Sequence, residues 1–392
     1  MRFDFDDEQR EIKDTARQFL ATRFKPEKVR ELAEAGTYDD SLWSEISELG
    51  WAGIAIDEEH GGQGLGMVEL MILCEELGHA CAPLPFLSNA CAGLVVETAG
   101  SEEQKGRWLP GIASGEGRGA FGDPEVLIDG EGAACAVVYG SDDEVRVVDL
   151  DGVSLEPLDL IDATRRYSAP LGDGAGETVP GAFAPATDRI LIAVAADLVG
   201  IAQRAMEMAV EYAKDRKQFD RPIGAYQAVS HQCAEMLYDV EEARSLTYFA
   251  AWAADAEPDS LPMATAMAKA RASEAAWSVC RRRSRSTAAS GSPGARSPLP
   301  CSSGHAQEPG CSARPPSTAS AWPRSPASGS SERGRRCATA SSRCWRCSSS
   351  RARSTCSARS SRGCSTPEPA LPGARTRSAV RARRGPRPTP SC

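Results

Sequence analysis

The sequence predicts a mainly α-helical protein with a small β domain in its middle. The first part of the chain has a 3.6-residue apolar period, the middle part has short strand-like runs between turn residues, and the helical period then returns. This order fits neither a βαβ nucleotide fold nor a β-sandwich. We predict four regions: an N-terminal helical domain at 1–118, a shortened β domain at 119–185, an incomplete helical bundle at 186–280, and a disordered Arg/Ser/Pro-rich tail at 281–392.

The N-terminal helices are indicated by their end signals as well as by their period. Asp6 can cap a helix with Gln9 at the capping-box position, and Pro26 ends or restarts that helix. A second amphipathic segment, DDSLWSEISELGW, stops at Gly50. The other helices of this domain are predicted at Met67–Leu77 and Ser88–Thr98.

The middle region contains runs such as ACAVVY and EVRVVDL, which are typical of short strands. From Thr187 a helical segment continues to Phe219 without proline and with a single glycine, Gly200. Two more helices are predicted at Gln227–Ala254 and Met263–Cys280, and the second is rich in strong helix formers.

The charge distribution divides the chain near residue 280. Residues 1–280 hold 23 Lys+Arg and 51 Asp+Glu, a net charge of −28. Residues 281–392 hold 22 Arg, no Lys, no Asp and 3 Glu, a net charge of +19, and the two values sum to the −9 of the whole chain. An acidic globular body and a basic low-complexity tail are therefore treated separately.

Several classes of protein and site are disfavoured. No apolar run is long enough to span a bilayer, and the acidic N-terminus differs from a signal peptide, so we expect a cytoplasmic protein. The four histidines are far apart, which gives little support to a metal site or a His-dependent nucleophile, and we expect no metal. The segment GGQGLG at 61–66 does not follow a strand in a βαβ unit, so a flexible turn is favoured over a phosphate loop.

The most informative segment is DRKQFDRPIGAYQ at 215–227, at the end of the long helix. The guanidinium of Arg216 could grip a phosphate through two hydrogen bonds, and Phe219 could cover a planar ring. From spacing alone, a solvated helix end is the better interpretation.

This segment resembles the R-x-Q-F-G-x-P-I-x-x-F-Q signature of acyl-CoA dehydrogenases. The strings WSEISELGWAGIAIDEEHGGQGLGMVE, EELG and EEQKGRWLPGIASGE occur in the order found in that family, and the resemblance covers about residues 1–280. It implies a helical domain, a β domain, a four-helix bundle, FAD and an oligomer. Carried over by position, Arg216 resembles the residue that contacts the FAD pyrophosphate of a neighbouring subunit, with Gln218, Phe219 and Gln227 close to the same nucleotide.

Three departures from the family pattern affect the expected function. Asp220 replaces the usual glycine, which a turn can tolerate because aspartate enters the left-handed region more readily than most residues. The segment AFGDPEVLIDG replaces the family's Thr-Glu-Pro and Gly-Ser-Asp stretch, and the later F-I-T-N-G-type segment is missing. Ile190 occupies the first of the positions at which the family carries its catalytic carboxylate, and Asp188 lies two residues away. The catalytic residue is therefore unassigned.

The shortened β domain, the D-A-T-R-R turn at 162–166 and the missing base together resemble the flavin-poor partner subunits of bacterial heteromeric acyl-CoA dehydrogenases. The family implies FAD-dependent α,β-dehydrogenation of an acyl-CoA thioester in lipid metabolism, such as fatty acid β-oxidation, with an electron-transfer flavoprotein as acceptor. The alternative is a non-catalytic subunit that completes the flavin site of another chain in a homo- or hetero-oligomer. The acyl chain, whether fatty, branched or steroid, stays open.

The tail is predicted to be the family's own C-terminus read out of frame. Its mixture of Arg, Ser, Ala, Pro, Gly and Cys is typical of a GC-rich gene read in a shifted frame, which we favour over a nucleic-acid-binding tail. Codons for residues 286–294, read one base earlier, can encode V-H-G-G-I-G-F-T-W, the family's sequence at this distance from Cys280. The frame change then falls near residues 281–282, and we expect little or no activity from the translated chain.

Overall fold

The computed structural model describes residues 5–123, 126–139, 144–169 and 176–288, with side chains up to residue 284. The predicted disordered tail lies outside the described residues beyond position 288. The remaining chain is mainly helical with a central mixed sheet, as the sequence predicts.

Six helices precede the sheet. They are α1 (Asp7–Arg23), α2 (Pro26–Ala35), α3 (Asp40–Glu48), α4 (Met67–Ala80), α5 (Phe86–Ala99) and α6 (Glu102–Ser114). The predicted capping box at the start of α1 is present, because Asp6 accepts a hydrogen bond from the backbone N–H of Gln9 at 2.8 Å. Pro26 occupies the first turn of α2, where its missing N–H is harmless.

The helices α4 and α5 are apolar on nearly all sides, which predicts burial rather than a surface position. Met71, Ile72 and Leu73 of α4 are consecutive in sequence and have no exposed surface. These two helices therefore form the centre of the main hydrophobic core, between the N-terminal helices, the sheet and the C-terminal helices.

The sheet has seven short strands in the order β5-β6-β2-β1-β3-β4-β7. The strands are β1 (Gly119–Gly122), β2 (Leu127–Ile128), β3 (Cys135–Tyr139), β4 (Val145–Asp149), β5 (Pro157–Leu158), β6 (Tyr167–Ser168) and β7 (Glu177–Thr178). Only β1 and β3 pair in parallel among these strands. Four of the seven strands have two residues, so the sheet depends on packing against α5 for its position.

Three long helices follow: α7 (Ala184–Asp215), α8 (Gln227–Ala256) and α9 (Leu261–Ala288). Between α7 and α8 lies a hairpin of β8 (Lys217–Gln218) and β9 (Arg221–Pro222). The helix α9 runs eight residues past position 280, the predicted end of the bundle. The reason is local, because the next helix breakers, Gly291 and Pro293, come only after its end.

A carboxylate from the last turn of α8 joins the N-terminal helices to the bundle. Asp255 accepts hydrogen bonds from the backbone N–H groups of Met67 at 3.0 Å and Val68 at 3.2 Å, in the first turn of α4. Gly66, the N-cap residue of α4, has no side chain to offer, so a residue 188 positions away in sequence supplies the cap.

No helix in the described part of the chain combines the length and apolar character that crossing a membrane requires.

Candidate functional site

The residues predicted from the 215–227 segment lie together at the junction of α7 and α8. The strands β8 and β9 pair antiparallel, with Lys217 opposite Pro222 and Gln218 opposite Arg221. The two turn residues both have left-handed backbone, with φ of 52° at Phe219 and 62° at Asp220. This is the pattern of a type I′ hairpin, and Asp220 takes the left-handed conformation expected for a replacement of glycine.

Two contacts fix this hairpin against the start of α8. The hydroxyl of Tyr226 donates to the carbonyl oxygen of Gln218 at 3.1 Å, and the guanidinium of Arg221 lies 4.1 Å from the Tyr226 ring centroid. The sequence reasoning did not assign Tyr226 or Arg221, although both belong to the same motif. The hairpin is therefore held in one orientation without help from the ring of Phe219.

The predicted side chains face outward. The ring-bearing residue Phe219 is 88% exposed, and Gln218 and Gln227 are also exposed. Burying so large an apolar side chain is worth about 1.5–3 kcal/mol, which this chain leaves unused at Phe219. The hairpin thus leaves the aromatic ring of Phe219 accessible from outside the chain.

Arg216 forms the base of the hairpin as the C-cap residue that directly follows α7. Its Nε atom is buried and has no hydrogen-bond partner among the described residues. Lys217 and Arg221 add two positive charges within six residues, and no side chain caps the start of α8. Guanidinium groups and uncapped helix starts both bind phosphate, so this junction can hold a polyanion.

The candidate base is located at the other end of α7. Ile190, at the position where the family can carry its base, is fully buried and apolar. Asp188 is 7% exposed and makes no hydrogen bond or ion pair with any other described residue. Burial raises the pKa of Asp188, and the nearby Arg189 only partly opposes this effect.

The D-A-T-R-R turn inserts an arginine between α4 and α7. Arg165 donates to Asp197 of α7 at 2.7 Å, and Asp162 stabilises the turn by accepting from the N–H of Thr164 at 3.0 Å. The cavity beside this ion pair measures about 40 Å³ and is lined by residues such as Cys74 and Phe86. That volume has room for water but not for an acyl chain.

The segment AFGDPEVLIDG, which departs most from the family pattern, contains Asp129, and the carboxylate of Asp129 is hydrogen-bonded within the chain. Asp129 accepts hydrogen bonds from the hydroxyl of Tyr38, from Ser88 at 2.6 Å and from the N–H of Arg166 at 3.2 Å. Its backbone is left-handed, with φ of 57°, and burial raises its pKa. This carboxylate holds the β domain against the helices and is not directed to a ligand.

The described residues contain no cluster of three His, Cys, Asp or Glu side chains that could hold a metal ion. Among the described residues, Cys74, Cys91, Cys135 and Cys233 have free thiols.

Comparison with known proteins identifies the family. Residues 6–116 match the family model for the acyl-CoA dehydrogenase N-terminal domain, and residues 187–287 match that for the C-terminal domain. The acyl-CoA dehydrogenase IpdE2 of Mycobacterium tuberculosis is 33% identical over 273 residues, which cover 69% of this chain and 81% of IpdE2. This chain belongs to the acyl-CoA dehydrogenase family.

Two solved structures share the acyl-CoA dehydrogenase fold with this chain. One is a variant of the Tcur3481-Tcur3483 steroid ACAD, with a TM-score of 0.65, 28% identity, and coverage of 73% of this chain and 88% of that one. The other carries the name of the electron transferring flavoprotein of Acidaminococcus fermentans, with a TM-score of 0.65, 27% identity, and coverage of 74% and 90%. As a member of this family, the chain is related to flavin-dependent oxidoreductases that act on CH–CH bonds.

Proposed function

We propose that this chain is a partner subunit of a heteromeric acyl-CoA dehydrogenase, in which its hairpin at 216–222 completes the FAD site of another chain. One observation carries the proposal. Asp188 lies in the first turns of α7 and Arg216 directly follows its last residue, so the 28 residues between them correspond to about 42 Å at 1.5 Å per residue. Two groups so far apart cannot serve one reacting centre, so the hairpin and Asp188 belong to different sites.

The chemistry of the hairpin fits the nucleotide part of FAD. The unpartnered Nε of Arg216 supports a phosphate contact, the exposed ring of Phe219 supports stacking on a planar ring, and Gln218 and Gln227 can donate to phosphate or ribose oxygens. The β domain fits the flavin ring less well, because Asp129 is already satisfied within the chain. When bound, FAD supplies the hydride acceptor for the β-hydrogen of an acyl thioester.

The other parts of the proposal concern substrate and acceptor. We assign acyl-CoA as the substrate of the assembled enzyme and an electron-transfer flavoprotein as its acceptor, within lipid metabolism. The likeness to a structure named for two proteins, Tcur3481-Tcur3483, and to one named for an electron transferring flavoprotein supports this assignment.

The test uses the frame-corrected subunit co-expressed with the acyl-CoA dehydrogenase genes beside it. Arg216→Ala removes a charge-assisted contact worth about 1.5–3 kcal/mol, so flavin affinity should fall by roughly 10- to 150-fold. Lys214→Ala, an exposed cation two residues earlier, is the control and should leave flavin occupancy unchanged. Occupancy is read from the visible absorption spectrum after gel filtration. Equal flavin retention by both variants would remove Arg216 from the site.

The chain alone gives a second test. We expect it to retain no stoichiometric FAD, since the hairpin faces outward and the β domain's Asp129 is engaged. A full complement of flavin per chain after gel filtration would contradict the partner role.

A second candidate function is catalysis by this chain itself, with Asp188 as the base. The favouring observation is a buried carboxylate of raised pKa with no partner in the described part of the chain. In the co-expressed complex, Asp188→Ala should leave turnover intact if another subunit supplies the base. A loss of about a thousandfold, within the range that general bases contribute, would instead make this chain catalytic.

A further inference from the structure

A cavity of about 210 Å³ lies between α1, α2, α4 and α7. Its floor is apolar and includes Leu20, Phe24 and Val29, each at most 5% exposed. None of its lining residues belongs to the hairpin at 216–222, so the cavity is independent of the proposed flavin site.

The rim of this cavity is positively charged. Arg17, Lys25, His79 and Arg204 line it, and Glu76 is the single acidic residue in the lining. This is unusual for a body in which 51 acidic residues outnumber 23 basic ones over positions 1–280. A local excess of cations on such an acidic protein points to an anion.

Internal ion pairs account for only some of these charges. Arg17 donates twice to Glu76, at 2.9 and 3.0 Å, and His79 contacts Glu207 at 2.7 Å. Arg204 forms a longer ion pair with Glu207, at 3.9 Å, which is beyond hydrogen-bond distance. Lys25 is exposed, and its ammonium group has no hydrogen-bond or ion-pair partner among the described residues.

An apolar floor with one unpaired cation, Lys25, and one loosely paired cation, Arg204, at the rim suits a ligand with an apolar body and one anionic end. A dry cavity of about 150 Å³ accommodates benzene, so 210 Å³ accommodates a body of about six carbons. A carboxylate at the end of that body can accept charge-assisted hydrogen bonds from Lys25 and Arg204.

We propose that this cavity is a binding site for a free carboxylic acid with a short aliphatic or alicyclic body. The carboxylate binds between Lys25 and Arg204, and the body packs on Leu20, Phe24 and Val29. The small cavity beside Arg165 shares Cys81 with this one, so the bound acid contacts the residue that separates the two cavities.

The test is calorimetric titration of the full chain with hexanoate at pH 7, compared with 1-hexanol and hexylammonium. Hexanoate should bind saturably, hexanol about tenfold more weakly because it lacks the charge, and hexylammonium not measurably. Equal binding of hexanoate and hexanol would overturn the anion assignment, and no binding of hexanoate would overturn the site.

Variants locate the binding within the chain. Lys25→Gln should weaken hexanoate binding about tenfold and leave hexanol unaffected. Lys28→Gln, three residues later in α2 and paired with Glu31 and Asp39, should change neither. Ala21→Phe fills the cavity from an exposed position of α1, so it should abolish hexanoate binding without unfolding the chain. If hexanoate binds both Lys25→Gln and Ala21→Phe as it binds the unmodified chain, the acid binds elsewhere and the proposal is wrong.

Discussion

Gly200 of α7 lies directly against the carbonyl oxygen of Glu75 in α4. A Cβ atom on Gly200 would stand 2.0 Å from that oxygen, and one on Gly78 would stand 2.3 Å from the carbonyl oxygen of Asp197. The two helices therefore cross with their backbones in contact, and each offers a glycine to the other. The single glycine in the long helical segment is explained by this crossing.

Gly200→Ala should destabilise the protein. Alanine normally favours a helix interior over glycine by about 1 kcal/mol, but here the added methyl group meets backbone that must move, at a cost of about 1–3 kcal/mol or more. The matched control is Gly106→Ala in α6, where a Cβ atom would meet nothing within 4 Å. Urea unfolding should show a loss for the first variant and no loss for the second. A gain at Gly200 would mean that the helices are farther apart.

The pair of His79 and Glu207 should make stability depend on acid pH. Burial opposes ionisation of Glu207, but hydrogen bonds from His79 and Gln203 outweigh it and lower its pKa to about 2. A lowered pKa contributes stability above the unfolded value, near 4.5, and this contribution is lost as pH falls from about 4.5 to about 2.

Glu207→Gln should therefore flatten the stability profile between pH 4.5 and 2. We expect a difference of about 1–2 kcal/mol, reduced from the full shift because 33% of the Glu207 side chain is exposed. Glu211→Gln, an exposed acid one turn later on α7, is the control for charge alone. Parallel urea midpoints for both variants across this range would exclude the pair as the cause.

Removing one partner of the Arg165–Asp197 ion pair should destabilise the protein more than replacing both partners with apolar residues. Arg165→Met leaves Asp197 unpaired, and we expect a loss below the roughly 3–5 kcal/mol of a fully buried pair, because 23% of Arg165 is exposed. The double variant Arg165→Met, Asp197→Leu should recover much of that loss. If the losses of the two single changes simply add in the double variant, the pair is not coupled.

The DNA across codons 275–295 tests the predicted frame change. We expect an insertion or deletion near codons 281–282, after which the one-base-earlier frame encodes V-H-G-G-I-G-F-T-W. If resequencing of the source DNA shows no insertion or deletion there, residues 281–392 are the genuine translation product and the predicted frame change is wrong. Salt-dependent nucleic-acid binding would then be the next test of that basic segment.

Local features of the fold could be predicted from the sequence, and long-range contacts could not. The capping box of Asp6 and Gln9 and the left-handed Asp220 depend on neighbouring residues, so the sequence signals them directly. The contacts of Arg165 with Asp197 and of Asp255 with Met67 depend on how α4 crosses α7 and α8. The sequence shows which of these residues are charged, but it does not show which distant group each of them contacts in the fold.

The candidate site divides in the same way. The 215–227 motif predicted Arg216, Gln218, Phe219 and Gln227, and they lie at one helix junction because they are close in sequence. Their role in binding FAD stays a prediction. The cavity with Lys25 and Arg204 was not predicted, since its lining comes from four helices spread over nearly 200 residues.

The Asp255 cap also determines the order in which the protein can be completed during synthesis. Ribosomes add about 5–20 residues per second, so the 188 residues between Met67 and Asp255 take roughly 10–40 s to make. Throughout that interval the first turn of α4 has no carboxylate to accept its N–H groups. The frame change predicted near residue 281 comes later in the chain, so the cap is retained here. The N-terminal helices are synthesised first, but the cap of α4 forms only after α8 has been synthesised.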